Sequence, residues 1–272
     1  MLSITKTKTT VNNNYQTTLS FLFYCKRGEW CGIIFCMINV KFEVIDLESQ
    51  IDILKDFCFR GGNTAEYVAK CLGLEASSIT KNFEKKIEKM YTKNLGAMKK
   101  KCLVFQKAWD CKKDFINKEF TKVFGRTFDF DCLARVNLNP IMPRFLKEKN
   151  FDINLECDED FSVMTTCHEI AHFAWFEILA ETFPEISARD YESPHPAWLI
   201  SEIAVEPIFR FSKLHTLSPK QPAYDYFYTD KIGGQTVAEI ANNLYKESKN
   251  IKDFQQKMMY FFDEEKTETL IK

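Results

Sequence analysis

The stretch from Ser162 to Thr182, SVMTTCHEIAHFAWFEILAET, decides how the rest of the chain is read. Its apolar residues, from Val163 and Met164 through Trp175 and Phe176 to Leu179, fall on nearly every side of a helical wheel. A helix that is apolar all round lies in an interior, so the pattern predicts a buried helix stopped by Pro184. His168, Glu169 and His172 sit inside it, and buried polar groups are costly unless they find partners. His168 and His172 are four residues apart, on one face of the helix, close enough to share one ion. Glu169 is turned by about 100° from His168, which puts it beside such an ion and not on it. A glutamate there can take a proton from water that zinc acidifies towards neutral pH.

A third ligand is offered downstream. Ala197–Phe209, AWLISEIAVEPIF, is apolar except for Ser201, Glu202 and Glu206. Glutamates are almost never fully buried without a partner. Here two of them stand four apart on a helix that reads as buried. One carboxylate on the metal and one receiving a ring N–H from a ligand histidine would pair both. Pro207 should kink or end this helix directly after Glu206.

HEIAH followed some thirty residues later by SEIAVE resembles the gluzincins, the thermolysin-like HExxH…E zinc metallopeptidases. The resemblance covers residues 168–206 closely. It implies one zinc ion per chain held by His168, His172 and Glu202, with Glu169 as general base and Glu206 orienting a histidine. It also implies a peptide or protein substrate, and it makes the strand Cys132–Leu138 the sheet edge that lines the substrate cleft. The chain departs from the pattern at Ser201, where that group usually has Asn, and at Pro207. The metzincin continuation would need Gly at position 175 and His at 178; Trp175 and Ile178 exclude it. Peptide hydrolysis further needs a donor for the tetrahedral oxyanion. Tyr191, His195 and Tyr224 are candidates, as are His215, Tyr226 and Tyr228, and sequence does not choose among them.

The bulk composition agrees with a packed globular body. Of 272 residues, 45% are hydrophobic and 28% charged, and nine glycines and eight prolines stand against 25 phenylalanines. The net charge of −1 gives no reason to expect a polyanionic partner. The ten cysteines are scattered and contain no CxxC pair, which points to reduced thiols in a cytoplasmic protein and away from a cysteine-based zinc knuckle. The apolar runs Leu19–Cys25 and Ile33–Val40 are too short to span a bilayer, so no membrane association is expected.

Periodicity predicts an α+β protein: a helix-rich, zincin-like core with a small sheet and an active-site helix, flanked by helical N- and C-terminal parts. Residues 1–36 read as a weakly structured extension, 37–126 as a helical region, 127–211 as the metal-binding core and 212–272 as a helical C-terminal region. Strands are expected at 38–45, 132–138 and 151–155. Helices are expected at 47–59, 65–72, 77–90, 95–123, 162–182, 197–209, 236–246 and 251–262.

A second signal lies upstream. Thr64–Phe83, TAEYVAKCLGLEASSITKNF, resembles a helix-turn-helix, with Ala69 inside the first helix, Gly73 at the turn and Ile79 on the inner face of the second. The basic stretch after it would suit phosphate contacts. Together with HEIAH this is similar to the ImmA/IrrE-type proteins. It implies the alternative of a non-catalytic, metal-binding regulatory protein that binds DNA.

Overall fold

The computed structural model describes residues 37–59, 62–74, 82–217, 222–262 and 270, together with two short strands nearer the N-terminus. Those strands, β1 (Phe21–Tyr24) and β2 (Trp30–Ile34), pair antiparallel with each other. The rest of the reading of residues 1–36 lies outside the described residues, as does the second helix of the helix-turn-helix pattern at 75–81.

The protein is α+β. Its main sheet joins β3 (Asn39–Val44), β4 (Asp131–Asn137), β5 (Arg144–Phe145) and β6 (Asn150–Asn154) in the order β3-β4-β6-β5. The first three of these neighbours run parallel, and β5 pairs antiparallel with β6. Alternation gives the sheet one apolar face: Val40, Phe42, Cys132, Ala134, Val136, Phe151 and Ile153 are all buried. Helices α3 (Phe83–Phe124) and α4 (Glu159–Thr182) pack with this sheet and with each other. On α4 lies α5 (Pro196–Arg210), which in turn carries α6 (Val237–Lys246) and α7 (Ile251–Phe261). Among the described residues no helix is long and apolar enough to cross a membrane.

Parallel strands need a crossover, and residues 45–130 supply one between β3 and β4. Among the described residues it contains α1 (Leu47–Phe59), α2 (Gly62–Cys71) and α3. The first two close a smaller core over the start of α3, in which Leu54, Val68, Ala69 and Ile87 are buried. Gly73, at φ +62°, turns the chain after α2.

In place of the two helices expected at 77–90 and 95–123, α3 is one helix of 42 residues. Gly96 inside it costs about 1 kcal/mol of intrinsic propensity. Burial of a continuous stripe outweighs that: Phe83, Ile87, Met98, Cys102, Phe105, Trp109, Ile116, Phe120 and Phe124 follow the helical period from the small core into the large one. Tyr91 Oη, donating to the Ile45 carbonyl at 2.8 Å, fastens the segment where a break was expected. Gly125, at φ +69°, ends the helix in a left-handed cap.

Two further expectations are corrected. Strand 132–138 is not the sheet edge, because β4 lies between β3 and β6. The edge on that side is β5, whose two residues are too short to show alternation. Nor does Pro207 end α5, which continues to Arg210. The proline is three residues from the C-terminus, so few intrahelical bonds are at stake, and the burial of Ile208 and Phe209 holds the last turn.

Candidate metal centre

Helix α4 begins where Asp158 accepts from the Phe161 N–H at 2.7 Å, with Glu159 and Asp160 in its first turn against the helix dipole. From this start the helical period directs residues 168, 172 and 176 to one face, towards α5. Helix α5 begins with Pro196 at its first turn, behind His195 as cap. Its residue Glu202 meets the two histidines.

Three donor atoms converge. His168 Nε2 and His172 Nε2 are 2.9 Å apart, and Glu202 Oε2 is 3.4 Å from each. A tetrahedral zinc ion with bonds of about 2.0–2.1 Å spaces its ligand atoms about 3.3–3.4 Å apart. The triangle is thus close to the base of such a tetrahedron, and the residues fit the ion in donor type as well as spacing. His172 is fully buried and its Nδ1 makes no hydrogen bond among the described residues. This helix interior therefore holds a polar atom left unsatisfied among the described residues.

One face of the triangle opens on a cavity of about 350 Å³. His168, Glu169, Glu202 and Tyr224 line it, with an apolar wall that includes Ile141, Met142, Phe161 and Met164. Glu169 is buried, and its Oε2 has no hydrogen-bond partner among the described residues. Burial pushes its carboxyl up to about 7, against the pull of His168 and Arg144. A carboxyl poised there can both take and return a proton near neutrality.

Charges inside the centre divide the two rings. Burial, reinforced by the Arg144 cation, drives His172 down to about 3, so its ring is neutral, the form able to ligate a metal. His168 is also penalised by burial, but its hydrogen bond to Glu202 and the charge of Glu169 raise it above the usual histidine range. For Glu202, burial works upward and is outweighed by the Arg144 cation and by hydrogen bonds from His168 and His172, which hold its carboxyl well below the usual value.

Arg144 was not foreseen. It comes from the edge strand β5, its side chain is 8% exposed, and its Nη1 donates to Glu202 Oε1 at 2.6 Å. Its guanidinium lies 5.8 Å from the ring of Phe176, which also stacks near His172. A single arginine beside Pro143 in an irregular stretch carries no periodic signal that could have marked it.

Of the oxyanion-donor candidates, Tyr224 alone lines the cavity. Tyr224 is 46% exposed as a residue, but desolvation of its hydroxyl end and the nearby Glu202 and Glu169 raise its phenol above the ordinary tyrosine value, which keeps the O–H in place. Tyr191 stacks on Phe176 at 4.5 Å and points its hydroxyl at the Ile186 carbonyl. His195 is occupied as the cap of α5, accepting from the Ala197 N–H at 3.1 Å. His215 Nδ1 bonds the Ser212 carbonyl, Tyr226 stacks on Tyr224, and the Tyr228 hydroxyl donates to Glu206.

The expected role of Glu206 is corrected as well. It does not receive a histidine N–H. Fully buried, it accepts from Arg210 within α5 and from Tyr228 and Asn242, which tie α5 to the segment after it and to α6. One helical turn beyond Glu202, it serves the packing of the C-terminal helices.

Comparison of the chain with models of known families, with curated proteins and with solved structures finds no match.

Proposed function

We propose that the chain is a zinc-dependent peptidase with its centre at His168, His172 and Glu202. The observation that carries this reading is the triangle of three protein donors opening on a cavity that Glu169 also lines. Structural zinc sites are closed by four protein ligands, whereas catalytic sites keep three and leave one side free. A bound zinc ion would polarise the scissile carbonyl and acidify water.

The chain's own residues supply the rest. Glu169 takes the proton of the attacking water and returns it to the leaving amine, so its charge is restored at the end of each turnover. Tyr224 donates its phenolic O–H to the oxygen on which negative charge develops. The apolar wall of Ile141, Met142, Phe161 and Met164 excludes water around the scissile bond and receives substrate side chains.

Purified protein is expected to hold about one zinc per chain. Glu169→Gln should lower peptide hydrolysis by at least 10²–10⁴-fold, on the order of a general base's contribution, while zinc stays bound. His172→Ala should release the ion. Protein that is metal-free and takes up no added zinc would overturn the centre, and a Glu169→Gln variant of undiminished activity would overturn the mechanism.

A further inference from the structure

Arg144 takes no part in the proton transfers, yet it is buried against one of the three donors. Its backbone is fixed by the antiparallel pairing of β5 with β6, Arg144 opposite Phe151, and by the Asp152 N–H bonded to the Pro143 carbonyl at 2.9 Å. Its side chain runs over Phe176, on the same face of α4 as both histidines.

An arginine and a carboxylate paired for attraction alone favour the two-pronged fork, with two parallel N–H···O bonds. That arrangement is not found here. Only Nη1 bonds Glu202, and it takes Oε1; Nε and Nη2, both buried, make no hydrogen bond among the described residues. Oε2 is thereby left at 3.4 Å from each histidine Nε2. The terminal torsion of a glutamate is broad and roughly two-fold, so nothing in Glu202 itself decides whether one or both oxygens face the histidines. A partner that occupies Oε1 decides it.

We propose that Arg144 is a positioning residue that fixes Glu202 as a one-oxygen ligand and keeps the cavity side of the centre open. This rests on the metal-centre reading above. Through Arg144 the sheet edge and the Glu202 carboxylate are mechanically linked.

The test uses the full chain, stripped of metal, with zinc and then cobalt(II) as probes. Arg144→Met is expected to weaken zinc binding by about 10–100-fold, the usual cost of losing a partner that orients a ligand. Its cobalt form should show a visible band shifted and weakened relative to wild type, as the freed Oε1 joins the coordination. Arg144→Lys keeps the charge without the planar head, and should fall between the two. Should Arg144→Met fail to fold, Arg144→Lys decides alone: weaker zinc binding with an altered cobalt band supports the proposal. Wild-type zinc affinity and cobalt spectrum in whichever variant folds overturn it. Wild-type protein that binds neither metal overturns the centre and this inference with it, so the two failures are told apart.

Discussion

Replacing Glu202 by alanine should do two separate things, and the second does not depend on metal. The first is loss of zinc. The second follows from the ion pair with Arg144, in which the side chains are 5% and 8% exposed at a separation of 2.6 Å. Unit charges about 4 Å apart attract by about 4 kcal/mol at an effective dielectric constant near 20. Desolvation offsets much of that attraction while both partners are present. Once Glu202 is removed, the survivor is a buried cation that has lost its hydrogen-bonded counter-charge and keeps only the more distant Glu169 and Glu192, and such losses run to about 3–5 kcal/mol. At roughly 2–4 °C per kcal/mol for a chain near this size, zinc-free Glu202→Ala should melt roughly 6–20 °C below zinc-free wild type. The assay is urea and thermal denaturation of both proteins in the presence of a chelator. The double variant Glu202→Ala/Arg144→Met removes the stranded cation and should regain part of the loss, a coupling that the two single variants do not predict by addition. If zinc-free Glu202→Ala were within about 1 kcal/mol of wild type, the pair would not be the buried charge couple described here.

Tyr224→Phe should keep zinc and fold while reducing kcat by about 10²–10³-fold, the loss seen when one oxyanion donor is removed; a kcat within threefold of wild type would return the donor role to another group. Asp152 gives a pH signature. Burial pushes its carboxyl up to about 6 despite its pair with Arg135. The folded state therefore holds a proton that the unfolded chain releases near pH 4, so this residue's contribution is fully present below about pH 4 and is lost as pH rises through about 6. A rise of about two units is worth about 3 kcal/mol. Urea denaturation from pH 4 to pH 7 should show wild type losing about that much relative to Asp152→Asn, and a constant difference would refute it.

Local pattern and long-range geometry divide what the sequence could tell. Helix α1 and the helices around HEIAH and SEIAVE were legible because their apolar periods, caps and prolines act within a few residues. The same holds for the convergence of His168, His172 and Glu202, since the all-apolar surroundings of these polar side chains demanded a partner. The resemblance to gluzincins supplied the choice of Glu202 over Glu206. Continuity of α3 was not legible: Gly96 and the polar run Thr92–Asn94 argue locally for a break, and only the two cores along one flank override them. Arg144 and the edge strand β5 were missed because a two-residue strand has no period. Tyr224 could not be told from Tyr191 or His195, since each stands in a loop or a cap whose direction is set by tertiary contacts. Glu206 was given the wrong partner because two of its three, Tyr228 and Asn242, lie 22 and 36 residues away.

The parallel pairing of β3 with β4 also bears on the order in which the chain folds. Residues 45–130 must be gathered before Val40 can lie beside Cys132, and closing so long a loop is slow relative to local events. Strands β4 to β6 and helices α4 and α5, by contrast, occupy one run from 131 to 210. That run contains all three donors and Arg144, so it can condense as a nucleus, with β3 docking on it afterwards. Val40→Ala should then speed unfolding and leave the refolding rate nearly unchanged, whereas Ile153→Val should slow refolding. The reverse pattern in a denaturant chevron would show that the nucleus lies elsewhere. On this ordering the first strand of the main sheet to leave the ribosome is the last to join it.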